Sequence, residues 1–438
     1  MTIMTREEAK KILDKVLSYA KSDECEVNLN GGNTGNIRYA INTVTTSGAT
    51  QDITLVVQSA FGKKTGVATI NQFDDRSLQD AVRRSEELAR LSPESPEYMP
   101  RLSQQEYLKG NGFVDATAKI TPEYRAKAAA SSIGPSKKNS LTAAGFFNDA
   151  VNFQAMANSK GLFAYYQSTN VSFSTTIRTP DGTGSGWASR DFNDVSKLDT
   201  ASASAIAIEK AIKSRKPRAI EPGKYTVILE PAASATLLGN MAGSFSRRLA
   251  DEGRSFLSKK GGGSKVGEKL FDERISIYSD PLNTEVPYAP WSGEGQAHKK
   301  QVWVDKGVVK TVSCGRYWAD KNDYTPVPTP NNFVMVGGDA SLDDLIKDVR
   351  RGILVTRTWY IRPVDPQTQL YTGLTRDGTF FVENGEIKYP VKNLRFNESP
   401  IIMLNNVERL GKPQRINGNL VPPMVVRDFN FTSLSDAV

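Results

Sequence analysis

Hydrophobic and polar positions repeat along this chain with two different periods, and the switches between them mark its elements. Ala9, Ile12, Leu13, Val16, Leu17 and Ala20 recur at helical spacing. Thr5-Arg-Glu-Glu8 stands just before them as a capping box, in which the Thr hydroxyl and the Glu carboxylate each satisfy an end N–H. This predicts a first helix. Residues 25–30 alternate with period two, as a strand does, and Gly31-Gly32 is expected to end that strand. Residues 37–44 and 53–58 read as further strands, with 61–66 as a turn leading into 67–70. Ser77 is expected to cap a second helix, with Leu78, Ala81, Val82, Leu88 and Ala89 on one face. Thr121-Pro122 predicts a third, because Pro is pre-organised for the first helical position.

Further along, residues 140–147, 153–157 and 165–178 are strand candidates. In the last of these Val171, Phe173, Thr175 and Ile177 alternate with Ser172, Ser174, Thr176 and Arg178, which gives one buried and one polar face. The Gly-rich run 181–187 admits an anion-binding loop or a hairpin connection. No helical pattern begins at its end to supply a dipole, so a connection is expected. Residues 201–213 form an Ala-rich helical pattern, and 214–222, charged and with two prolines, read as a domain boundary. The expected fold is therefore α+β with two domains: an N-terminal α/β domain at 1–215 and a C-terminal mixed β-sheet domain with helices at 216–438. The second opens with a strand at 223–231 and a helix of small residues at 232–242. Later, 353–361 is rich in β-branched and aromatic residues, and Asn384-Gly385 supplies the two φ > 0 residues of a tight hairpin turn. Thr375-Arg376-Asp377-Gly378 is polar and ends in Gly, so it predicts a turn presented at a sheet end.

Composition narrows the function classes. The 438 residues are 39% hydrophobic and 24% charged, ordinary for a globular protein that buries a large core. No apolar run approaches a membrane span, and the first residues lack the apolar core of a secretory signal. The two cysteines, Cys25 and Cys314, cannot make a disulfide framework, so the cytoplasm is the expected compartment. The formal charge of +8 is spread among acidic residues, and diffuse charge gives nucleic acid only weak, salt-sensitive attraction. Nucleic acid is therefore not an expected partner. Gly62-Lys-Lys-Thr lacks the spacing of a phosphate-binding loop. His298 is the single histidine, so this chain cannot build a two-His zinc site from itself.

The run Thr372-Gly-Leu-Thr-Arg-Asp-Gly-Thr-Phe380, then Glu383-Asn-Gly-Glu-Ile387, then Pro390-Val-Lys-Asn-Leu-Arg-Phe-Asn-Glu-Ser399 resembles the C-terminal part of the TldD/PmbA (TldE) family. That family comprises cytoplasmic zinc metallopeptidases and their non-catalytic partner subunits, once called modulators of DNA gyrase. The strand entry Pro222-Gly-Lys-Tyr-Thr-Val-Ile-Leu-Glu-Pro231 is similar to the family's, as is the turn Asn158-Ser-Lys-Gly161. The order helix, strands, helix, Pro-rich connection, helix is similar to its N-terminal domain. In the catalytic branch the helix after that strand carries His-Glu-x-x-x-His, whose imidazoles hold zinc while the Glu deprotonates the attacking water. The corresponding window here, 237–246, reads Leu-Leu-Gly-Asn-Met-Ala-Gly-Ser-Phe-Ser, with no His, Glu, Asp or Cys. A late Cys that completes that site should fall after Asn405, and none does.

The resemblance thus implies a non-catalytic, PmbA/TldE-like subunit. It implies no cofactor in this chain, zinc only in a TldD-like catalytic partner, and a cleft shared by the pair that admits unfolded peptide. Strands at 352–361 and 371–381 are the expected wall, where extended peptide adds to a sheet edge. Thr375, Arg376, Asp377, Arg357 and Tyr360 are the candidate peptide-binding residues. Arg376 offers a bidentate contact to a peptide carboxylate; the alternative is a salt bridge with its neighbours that fixes the loop. Two other readings stay open: a stand-alone peptidase with an atypical site, and a homodimeric peptide-binding or regulatory protein. The first would use His298 or Cys314. His298 lies beside Lys299-Lys300 and is expected at the surface. Cys314 is expected on a half-buried strand, with Arg316 near enough to lower its pKa.

Overall fold

A computed structural model describes residues 3–435. In chain order the first part holds α1 (Arg6–Tyr19), β1 (Glu24–Ala40), β2 (Thr43–Phe61), β3 (Lys64–Ile70), α2 (Asp75–Leu91), α3 (Asp115–Ala118), α4 (Pro122–Lys138), β4 (Thr142–Asn158), β5 (Phe163–Arg178), β6 (Ser185–Phe192) and α5 (Thr200–Lys213). The second part holds β7 (Gly223–Leu229), α6 (Pro231–Gly243), α7 (Arg247–Asp251), β8 (Ile277–Ser279), β9 (Gln301–Asp305), β10 (Val308–Val309), α8 (Arg316–Asn322), β11 (Val334–Met335), α9 (Leu342–Lys347) and β12 (Arg351–Asp365). It continues through β13 (Leu370–Glu383), β14 (Glu386–Pro390), β15 (Leu394–Glu398), α10 (Pro400–Asn405), β16 (Val407–Leu410), β17 (Gln414–Ile416), β18 (Asn419–Val421) and β19 (Met424–Leu434). The fold is α+β, as expected.

The first six strands form one sheet in the order β3-β2-β1-β4-β5-β6. The capping box of α1 is present, with Glu8 N donating to Thr5 Oγ1 at 3.2 Å and Thr5 N to Glu8 Oε2 at 2.8 Å. Ala9, Leu13 and Val16 of α1 pack on Val27, Leu29 and Leu55 of the sheet, and each buried Leu contributes about 2 kcal/mol. Helices α4 and α5 cover the same face farther along, against Ile37, Phe147, Phe173 and Ile177. The opposite face carries Asn36, Asn148, Asn170, Ser172 and Ser174, all partly exposed, so β5 has the two-faced character its alternation predicts. Near Met156 and Tyr166 that face is covered by Trp291 of the second part.

Two boundaries differ from expectation. β1 does not stop at Gly31-Gly32 but runs through them, because β2 and β4 pair with it on both edges. The ladder outweighs the local preference of Gly for turns. Likewise 140–147 and 153–157 are one strand, β4. The cap of α2 is Asp74, whose carboxylate accepts from Ser77 N, one turn earlier than the expected cap at Ser77. Of the run 181–187, residues 181–184 lie in the connection from β5 to β6, and 185–187 begin β6.

After residues 214–222 the chain builds two more sheets. One runs β10-β9-β8-β11-β18-β17. In the other, β12 pairs parallel with β7 and antiparallel with β13, β13 pairs with β15, β15 with β19, and β19 with β7. Those five strands therefore close on themselves. Asn384 and Gly385 have φ of 52° and 78°, the tight turn expected between β13 and β14. Helix α6 packs Leu237, Leu238 and Met241 into the core shared by both sheets, with Ile277, Phe396 and Met424.

Candidate functional site

Helix α6 starts at Pro231, where a missing N–H leaves no hydrogen bond unmade, directly after β7. With Leu237, Leu238 and Met241 turned to the core, the opposite face presents Ala235, Gly239, Ala242 and Gly243. These line a cleft of about 520 Å³ whose far wall includes Ile277, Trp303, Phe333 and Val421. The wall is rigidly held. Trp303 Nε1 donates to Ser279 Oγ at 3.0 Å. Buried Asn332 spans the loop behind it, donating to Asp280 O at 2.8 Å and Val286 O at 2.7 Å while accepting from Asp280 N at 3.0 Å. Among the described residues no charged side chain lines the cleft. These wall residues come from segments far apart in sequence, and only the Pro-rich run before Phe333 hinted at a shaped loop there.

A zinc ion does not fit this donor set. The small residues of α6 offer the cleft no nitrogen, sulfur or carboxylate ligand, and among the described residues no three His, Cys, Asp or Glu side chains converge.

The segment 375–378 is not a turn at a sheet end. It lies in the middle of β13, where the register with β12 jumps from Val355↔Thr379 to Arg357↔Arg376. The extra residues form a bulge, with φ of 56° at Asp377 and 122° at Gly378. The bulge turns the Asp377 side chain into the protein, where it is fully buried. Arg357 Nε donates to it at 2.6 Å, Ser185 Oγ donates from β6, and Arg376 Nε lies 3.8 Å away. Arg357 also stacks over Trp187 and Trp359, at 4.7 and 5.5 Å, and Arg376 over Trp359 at 4.8 Å. Burial lowers the Arg376 pKa from its usual value. Thr375 is buried and accepts from Leu394 N at 2.9 Å. The structure thus brings Arg357, Arg376 and Asp377 together, with Thr375 in the adjoining core. Tyr360 stands apart at a second register jump, 56% exposed, with φ of 53° and Arg362 over its ring.

His298 and Cys314 both differ from expectation. His298 is buried, not at the surface, at 3% exposure, edge-on to Tyr288 with ring centroids 5.1 Å apart. Burial pushes its pKa down to about 4, and its Nε2 has no hydrogen-bond partner among the described residues. It is a neutral packing residue. Cys314 is buried in an isolated bridge with Val327. Burial raises its thiol pKa, and Arg316, close in sequence, donates to Pro100 O at 2.7 Å.

Comparison with known proteins places this architecture. Residues 114–215 match the PmbA/TldA metallopeptidase central domain, and residues 222–433 the PmbA/TldA metallopeptidase C-terminal domain. The chain belongs to the PmbA/TldD family. Among PmbA/TldD relatives, the metalloprotease PmbA of Escherichia coli O157:H7 is 22% identical over 452 residues, covering 96% of each chain. A metalloprotease of Methanothermobacter thermautotrophicus is 23% identical over 292 residues, 61% of this chain and 62% of that protein's length. TldE from Thermococcus kodakarensis superposes with a TM-score of 0.87 at 16% identity, covering 97% of this chain and 100% of that one, a likeness of fold. No helix among the described residues is long and apolar enough to cross a membrane.

Proposed function

We propose that this chain is a non-catalytic, TldE/PmbA-like subunit of a TldD/TldE-type peptidase that processes unfolded peptides. The observation that carries the reading is the face of α6. Where the catalytic branch carries His-Glu-x-x-x-His by resemblance, this helix turns Ala235, Gly239, Ala242 and Gly243 towards the cleft. Nothing there activates water. A TldD-like partner supplies the zinc, and this chain contributes a wall of the shared cleft. Its own groups act by binding: a neutral, largely apolar cleft accepts uncharged side chains, and β12 beyond Val355, where its pairing with β7 ends, offers backbone groups to an extended chain, whereas β13 is paired on both edges and offers none.

The test is elemental analysis of the untagged chain, paired with cleavage of an unfolded peptide. The expected result is no stoichiometric zinc and no cleavage alone, with cleavage appearing on co-purification with a relative that carries His-Glu-x-x-x-His. Stoichiometric zinc with cleavage by the chain alone would sink the reading.

A further inference from the structure

We propose that the outer edge of β5 between Phe163 and Thr169 is a slot for the C-terminal end of an extended peptide. β6 pairs with β5 only from Val171 onwards, so among the described residues 163–169 have β4 on one side and no strand on the other. The chain between α2 and α3 arches over this open edge and touches it twice. Gln104 Oε1 accepts from Phe163 N at 2.9 Å, and Gly112 O accepts from Thr169 N at 3.0 Å. Residues two apart on a strand turn their N–H and C=O to the same side. Tyr165 and Gln167 therefore also face the arch. Between its two contacts the arch stands off and leaves a cavity of about 480 Å³, which both residues line.

One side of the slot is aromatic. Tyr166 meets Trp291 edge-on with ring centroids 6.2 Å apart, and Tyr107 of the arch lies 5.6 Å from the same indole. The Tyr107 hydroxyl anchors the arch to the second part of the chain, donating to Gly295 O at 2.6 Å. Gly110 and Gly112 let the arch pass Tyr166, since an added Cβ would lie 2.3 Å from its ring at the first and 2.0 Å from its hydroxyl at the second. Tyr166 itself is 6% exposed, and its hydroxyl has no hydrogen-bond partner among the described residues. An edge with unpaired backbone groups, an aromatic wall and room beside it is the arrangement by which strand addition captures a peptide.

The occupant follows from shape and charge. The contacts at Gln104 and Gly112 shut both ends, so a chain cannot run through; a chain end enters from the open side. Among the described residues the only charged side chains that line the cavity are Arg6 and Lys109, and neither meets a carboxylate. Two cations suit a terminal carboxylate and repel a terminal ammonium. Arg6 stands at the Gln104 end, its guanidinium 4.8 Å from the centre of the Phe163 ring. A peptide antiparallel to β5 reaches that end with its C-terminus. Its last residue then lies opposite Tyr165 and its third-last opposite Gln167, exchanging backbone hydrogen bonds with each. The penultimate side chain falls on the face of Tyr166 and Trp291, which favours an apolar or aromatic residue there. The slot shares no residue with the α6 cleft, so the proposal does not depend on the zinc-free reading of that helix.

The experiment is fluorescence anisotropy of an N-terminally labelled Gly-Ser-Ala-Phe-Val peptide titrated with the full chain, with hydrogen exchange read by mass spectrometry. The free acid is expected to bind, with exchange protection appearing in 163–169. Its C-terminal amide is expected to bind at least about tenfold more weakly, and so is the acid N-methylated at its last residue, which cannot donate to Tyr165 O. These peptide changes leave the protein untouched. Arg6→Gln, at an exposed position, is expected to erase the difference between acid and amide. Absence of saturable binding, equal binding of acid and amide by the wild type, or an acid–amide difference that survives Arg6→Gln overturns the proposal. So does protection confined to α6 and its cleft; that result would leave the cleft as the peptide site and the proposed function intact.

Discussion

Ser185 on β6 donates its hydroxyl hydrogen bond to the carboxylate of Asp377 on β13, 192 residues later in the chain. Arg357 grips the same carboxylate from β12 and stacks on Trp187, two residues beyond Ser185. One bulged residue thereby ties the outer strand of the N-terminal sheet to the closed ring of strands behind it. Asp377→Asn keeps the shape but removes the charge between two guanidinium groups. The expected loss is about 3 kcal/mol of unfolding free energy, read from the denaturant midpoint, because it leaves two partly buried cations without their buried counter-charge. Ser185→Ala is expected to cost about 1 kcal/mol. An unchanged midpoint in Asp377→Asn would mean that the contact holds nothing.

Buried His298 makes stability depend on pH with a definite sign. In the unfolded chain its imidazole takes up a proton near pH 6.5, in the folded chain only near about 4. Between those values the unfolded state binds more protons. Stability from this group is therefore complete above about pH 6.5 and falls as the pH drops towards 4, by up to about 3 kcal/mol. The measurement is the difference in urea midpoint between pH 7 and pH 4.5 for wild type and His298→Phe. The wild type is expected to lose more.

Neither thiol is poised for chemistry. Burial pushes the Cys25 pKa up to about 12 and raises that of Cys314. Titration with a disulfide reagent at pH 8 is expected to leave both unreacted in the folded protein and to count two after denaturation. Rapid modification of Cys314 in the native state would reopen the case for a nucleophile.

Gly35 marks a close approach on β1. A Cβ there would lie 1.8 Å from Arg125 Nη2, and that guanidinium is pinned to Asp149 by hydrogen bonds of 2.6 and 2.9 Å. Gly35→Ala is expected to destabilise by about 2 kcal/mol, since the Arg has no room to retreat without breaking its pair. Thermal unfolding of the variant beside an Arg125→Ala, Gly35→Ala double variant tests this. The second Ala is then expected to add little.

Local signals carried the helices and tight turns. The Thr5–Glu8 box and the Asn384-Gly385 turn satisfy their own backbone groups, so a few neighbouring residues suffice to specify them. Signals failed where a distant partner outweighs a local preference. Gly31-Gly32 reads as a stop, but two flanking strands hold it extended. Asp377-Gly378 reads as a turn, yet its left-handed backbone serves a bulge that aims a carboxylate at Arg357 and Ser185. His298 sits beside two lysines and gives no local sign of burial under Tyr288. The cleft beside α6 was half legible. The missing ligands can be read in one window, but Trp303, Phe333 and Val421 meet them only through the fold.

The closed ring of strands also sets an order of events during synthesis. Its first member, β7, leaves the ribosome about two hundred residues before its neighbour β19, and both strands flanking β7 arrive late. Until then Val227 and Leu229 have no completed core to enter. The N-terminal sheet, whose strands are all made by Phe192, can fold while the rest is still being translated. The second part must wait, with apolar strands exposed, so nascent chains halted before β19 should be the ones that chaperones hold and proteases clear.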